Sequence, residues 1–123
     1  MDTENLIRAI VDLPGKFREV GNKSIISLLK ESGYVESFTD VNENNIADFL
    51  KKNPDKIMDW LIWSDDKRSY VGWYFIEEKD NHFLIGYLPK DDKVGELRYS
   101  DKIQACAAFI KRELEYIRLK YCQ

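Results

Sequence analysis

Apolar residues in the first half of the chain recur at helical spacing. Leu6, Ile7, Ile10 and Leu13 share one side of a helix that Thr3 can cap and that Pro14-Gly15 should stop. Asn22 or Ser24 begins a second helix, carrying Ile25, Ile26, Leu28 and Leu29 and ending at Gly33. Asp40-Val41-Asn42-Glu43 has the spacing of a capping box ahead of Ile46, Phe49 and Leu50, and Pro54 closes that third helix. Asn53-Pro54-Asp55 is itself a helix-start signal. Ile57, Met58, Trp60, Leu61, Ile62 and Trp63 suit either a short helix followed by a strand or a helix throughout. The preferred reading is a strand from about Trp60.

The pattern then turns to β. Tyr70 to Glu77 and His82 to Leu88 are aromatic and β-branched, joined by the polar link Glu78-Lys79-Asp80-Asn81. Val71, Trp73 and Phe75 fall on one face of the first strand, Tyr70, Tyr74 and Ile76 on the other. With two apolar faces this strand should be central, or have helices over one face and a partner near the other. After Pro89-Lys90-Asp91-Asp92-Lys93, a weaker strand from Val94 to Tyr99 carries Glu96 and Arg98, which suit a sheet edge. Ser100 should cap a last long helix, with Asp101 at its positive end. Ile103, Cys106, Ile110, Leu114, Ile117 and Tyr121 form its apolar stripe, and Lys102, Lys111, Arg112, Glu115 and Arg118 its wet side. The expected fold is α+β: a helical N-terminal half, a central antiparallel sheet of three to four strands, and a long C-terminal helix packed on the sheet.

With 123 residues the chain is expected to form a single domain, residues 1–123, able to bury a core without staples. No apolar run approaches the roughly 20 residues of a membrane span, and the acidic start Met1-Asp2-Thr3-Glu4-Asn5 lacks a secretory signal. A cytoplasmic protein is expected. Cys106 and Cys122 fall on one predicted helix, more than about 20 Å apart at a rise of about 1.5 Å per residue, so they cannot bridge each other. Cys106, within Ala105-Cys106-Ala107-Ala108, reads as a small core residue. The net charge of −3, with acids and bases interleaved, argues against direct nucleic-acid binding and permits a basic partner.

Reaction chemistry is sparse. His82 is the only histidine, and pairing it with Cys106 would give the sole thiol-catalysis arrangement, although Cys106 lies on the buried stripe. One histidine and two remote cysteines cannot make a four-ligand zinc site, and the acids lack the alternation of a calcium loop. The glycines form no phosphate cradle. Gly72 and Gly86 fall inside predicted strands and suit packing beneath Trp73 or Tyr87. The acid pairs Asp65-Asp66, Glu77-Glu78 and Asp91-Asp92 lie in predicted turns, where charge is solvated rather than tuned for acid–base work. Asp65-Asp66-Lys67-Arg68-Ser69 reads as an exposed connection into the first strand, with an Asp65–Arg68 contact worth about 0–1 kcal/mol. Acidic turns beside strands rich in Trp and Tyr also have the make-up of a protein interface.

The second half carries Trp63-Ser64-x-Asp66-x-Arg68, then Gly72-Trp73-Tyr74, then Gly86-Tyr87, then Ala105-Cys106-Ala107-x-Phe109-Ile110-x-x-Glu113. Over about residues 60 to 115 this resembles the small bacterial immunity proteins of contact-dependent growth-inhibition and related polymorphic toxin systems. The resemblance implies a cytoplasmic non-enzyme, and no cofactor or metal is expected. Its partner would be the toxic C-terminal domain of a cognate effector, in many systems a nuclease, neutralised by occlusion. Trp73, Cys106, Phe109 and Ile110 are expected to hold the fold. The expected partner-binding residues rest on physical grounds: Asp65, Asp66, Glu77, Glu78, Asp91, Asp92 and Glu96 facing a basic surface, with Tyr70 and Tyr87 as anchors. Two other readings stand beside this one. The first is a small-ligand-binding or regulatory α+β module with a pocket lined by Trp60, Trp73 and Tyr74; the second is a small hydrolase using His82.

Overall fold

A computed structural model describes residues 2–67, 72–88 and 96–122. Tyr70, Asp91 and Asp92 lie outside the described residues, as does the side chain of Asp66. The elements run α1 (Thr3–Val11), α2 (Leu13–Val20), α3 (Ile25–Ser32), α4 (Tyr34–Ser37), a 3-10 turn (Phe38–Asp40), α5 (Glu43–Lys52), α6 (Lys56–Lys67), β1 (Gly72–Glu77), β2 (Phe83–Leu88), β3 (Leu97–Tyr99) and α7 (Lys102–Tyr121). The fold is α+β, with a helical N-terminal half, a three-stranded antiparallel sheet in the order β1-β2-β3, and the long C-terminal helix packed on the sheet.

Local signals set most boundaries, with a few displaced from expectation. Asp2 rather than Thr3 caps α1, accepting from the Asn5 N–H at 2.8 Å. Pro14 does not stop the chain; it sits in the first turn of α2, where its missing N–H costs nothing. Ser24 caps α3, and Gly33 ends it in the left-handed conformation, φ 91°. The capping box of α5 is formed by Asn42 and Asn45, whose side chains each accept from the other's backbone N–H. Asp101, not Ser100, caps α7, accepting from Ile103 N–H at 2.8 Å.

The largest correction concerns Trp60 to Trp63, which are helical rather than extended. Ile57, Trp60 and Ser64 share the buried side of α6, and the Trp60 indole N–H donates to the Val11 carbonyl at 2.9 Å. Met58 and Ile62 point the other way, into solvent, which thickens the apolar run and blurs its helical period. Asp65 and Asp66 therefore stand on the last turn of a helix and not in a hairpin tip.

β2, not β1, is the central strand. The free edge of β1 is closed by α6, where the buried Ser64 hydroxyl oxygen accepts from the Phe75 N–H at 2.6 Å. A helix thus takes the place of a fourth strand and satisfies an edge donor that would otherwise be buried and unpaired. Trp73 and Phe75 face α7, with Phe75 stacked on Phe109 at 5.5 Å. Tyr74 lies on the opposite face, its ring covering Gly86, so Gly86 serves packing beneath Tyr74 rather than beneath Trp73 or Tyr87. Gly72 has φ 134°, a conformation that favours glycine.

The long helix is more deeply embedded than a single apolar stripe implies. Ala105 through Ile110 are all fully buried, because the sheet covers one side of α7 while α3 and α5 pack on the other. Small residues at Ala105, Ala107 and Ala108 permit that close approach on both sides. Consequently Lys111, Glu115 and Arg118, expected on the wet side, retain only 20%, 26% and 15% side-chain exposure. They form a polar seam with the first half of the chain. The Tyr34 hydroxyl, on a fully buried ring, donates to Glu115 at 2.6 Å and accepts from the Lys111 ammonium at 2.8 Å, and Lys111 also donates to the Phe38 carbonyl.

Candidate functional site: an acid-rimmed helix face and an aromatic groove

The solvent side of α6 is built by helical spacing. Met58 and Ile62, four residues apart, are 58% and 39% exposed, and Asp55 and Asp65 stand exposed at either end of this stripe. Asp59 flanks it and is held by the Arg18 guanidinium at 3.0 Å. On the neighbouring α2, Phe17 meets the Trp63 ring edge-on at 5.3 Å and is itself 36% exposed. Trp63 is fixed from below, its indole N–H donating to Glu113 at 3.0 Å. An apolar centre with a carboxylate rim, carried on a helix anchored through Trp60, Trp63 and Ser64, has the composition of a protein contact surface.

A second surface lies between β1 and the C-terminal half of α7. Trp73, Arg112, Glu115, Tyr116, Leu119 and Lys120 line an open groove of about 440 Å³. Trp73 and Tyr116 supply its aromatic lining, and Tyr87 braces both rings edge-on, at 5.4 Å from Trp73 and 5.8 Å from Tyr116. Arg112 lies over the Trp73 ring at 5.6 Å and is paired with Glu43 at 3.0 Å. Lys120 donates to the Tyr116 hydroxyl at 3.0 Å, a bond that holds its ammonium above the ordinary lysine value. Glu115 is engaged by Arg118 at 2.8 Å and by Tyr34. Burial pushes the Glu115 carboxyl up, but hydrogen bonds from Arg118 and Tyr34 outweigh it, leaving the group below its usual value.

The structure disperses the expected contact residues. Asp65 joins the α6 face; Glu77 is exposed at the end of β1. Glu78 lies 3.4 Å from Arg98, whose guanidinium also binds Asp80 at 2.6 Å. Glu96 accepts from the Tyr74 hydroxyl, and burial followed by that bond pushes Tyr74 up to about 12. Glu78 and Glu96 are therefore committed to contacts within the chain. Tyr87 does not itself line the groove but packs edge-on against Trp73 and Tyr116, which do. Trp60, Trp73 and Tyr74 line no common pocket: Trp60 is 1% exposed in the core, and Tyr74 occupies the sheet face opposite Trp73.

His82 sits 3.1 Å from Asp80 in the hairpin, while Cys106 is fully buried in α7, where burial pushes its thiol up. Among the described residues, no cluster of His, Cys, Asp or Glu could hold a metal ion, and no helix is long and apolar enough to cross a membrane.

The sequence reading did not single out Met58 and Ile62 as exposed apolar residues. Their signal was available, as two large apolar residues off the inward stripe of a helix. The groove had none, since β1 and the end of α7 meet only through the fold. No family model, no curated protein and no solved structure matches this chain.

Proposed function

We propose that the chain is an immunity protein that binds the toxic C-terminal domain of a cognate contact-dependent inhibition effector and neutralises it by occlusion, with no turnover and no cofactor. The observation that carries this reading is the α6 face, where Met58 and Ile62 expose apolar surface inside a rim that includes Asp55 and Asp65. Such a face complements a partner with a cationic surface around an apolar centre, and the nucleic-acid groove of a nuclease is cationic. The resemblance supports the same reading. Several of its quoted residues fall in one frame: Trp63 bonds Glu113, Ser64 closes the β1 edge, and Cys106, Phe109 and Ile110 lie in the core. These positions keep the shape, and the exposed Met58 and Ile62 of α6 lie outside that frame.

The test is co-expression with the C-terminal domain of the effector encoded immediately upstream. The native chain restores growth, and Ile62→Lys, which puts a cation in the centre of the face, abolishes protection while leaving thermal stability unchanged. Toxicity persisting in the presence of well-folded native chain would overturn the proposal.

A further inference from the structure

We infer that the groove between β1 and α7 is a binding site for a small organic anion carrying a flat ring. Its volume of about 440 Å³ lies within the range of small-molecule sites, which are mostly apolar with few placed polar groups. Trp73 and Tyr116, each braced edge-on by Tyr87, offer rings against which a ligand ring can pack edge-to-face or offset. Leu119 closes one side and is 52% exposed, apolar surface that a ligand would cover.

The charge preference follows from the pairing of each ionic group in the lining. Arg112 is balanced by Glu43, and Glu115 by Arg118. Lys120 stands apart. Among the described residues no carboxylate lies within ion-pair distance of it, and its ammonium rests 5.3 Å from the Tyr116 ring and 5.6 Å from that of Tyr121. An ammonium held on aromatic rings, with its remaining protons unspent, recognises an anion at the mouth of the groove. The site is separate from the α6 face and uses none of its residues.

The probes are indole-3-acetate and adenosine monophosphate, with indole and adenosine as uncharged counterparts, followed by protein amide and indole NMR signals. Both anions are expected to shift the Trp73 indole and the Leu119 and Lys120 amides at about 1 mM. The stronger of the two assigns the head group as carboxylate or phosphate. Lys120→Gln, at a solvent-exposed position, should weaken binding about tenfold while the unfolding midpoint stays put. Three results would each overturn the inference: no shift with either anion, uncharged rings binding as tightly as charged ones, or unchanged affinity in Lys120→Gln.

Discussion

Replacing Ser64 with alanine tests how the sheet is terminated. Ser64 is fully buried near the C-terminal end of α6, and its hydroxyl oxygen is the acceptor for the N–H of Phe75, a residue only 1% exposed. Alanine removes the acceptor without giving that N–H access to water. Leaving a buried donor unpaired costs about 1–3 kcal/mol, and the better helix propensity of alanine returns only a few tenths. Thermal unfolding entropy of about 2.1 cal/mol/K per residue makes 1 kcal/mol worth about 4 °C for a chain of 123 residues. Ser64→Ala should therefore melt about 4–12 °C lower, with the denaturant m-value unchanged. The exposed Ser100→Ala serves as control and should move little. Amide exchange supplies the specific readout: Phe75 should lose protection more than its neighbours in β1. A shift of less than about 0.5 kcal/mol with Phe75 still protected would refute the role of Ser64 at the β1 edge.

Other consequences follow from the same geometry. Tyr34→Phe removes the hydroxyl that joins Glu115 and Lys111 and should cost about 1–3 kcal/mol in urea unfolding. Because the Glu115 carboxyl is depressed in the folded state, its contribution is present above its unfolded value and lost as pH falls through the folded one. The stability gap between the native chain and Glu115→Gln should therefore narrow on acidification, and a constant gap would contradict the seam. Gly86→Ala places a Cβ against the Tyr74 ring and should destabilise by about 1–3 kcal/mol, read by chemical denaturation, while perturbing the Tyr74–Glu96 contact. Of the two thiols, the half-buried Cys122 should react readily with a thiol reagent, and Cys106 only on unfolding.

Elements with strong local signals were legible in the sequence. Ser24 and Gly33 bracket α3, the aromatic runs mark β1 and β2, and the three-and-four spacing marks α7. Misreadings arose where one local signal allowed two outcomes. Pro14 can end a helix or begin one, and the bend after Val11 decided in favour of beginning. Trp60–Trp63 looked extended because outward Met58 and Ile62 interrupt the helical period, and those same residues form the candidate contact face. The burial of Lys111, Glu115 and Arg118 depends on α3 and α5 docking against α7, which no spacing within α7 encodes. For the same reason Asp65 and Tyr87, read together as contact residues, stand on different elements, α6 and β2. Asp65 sits on the α6 face, and Tyr87 packs against Tyr116 of α7.

Occlusion through the solvent side of α6 is tested most directly by calorimetric titration of the purified chain with the upstream effector's toxic domain. The account predicts one-to-one binding that loses at least tenfold in affinity with Ile62→Lys, and association that slows as salt is raised. Absence of binding, or full affinity retained by that variant at every salt concentration, would contradict it.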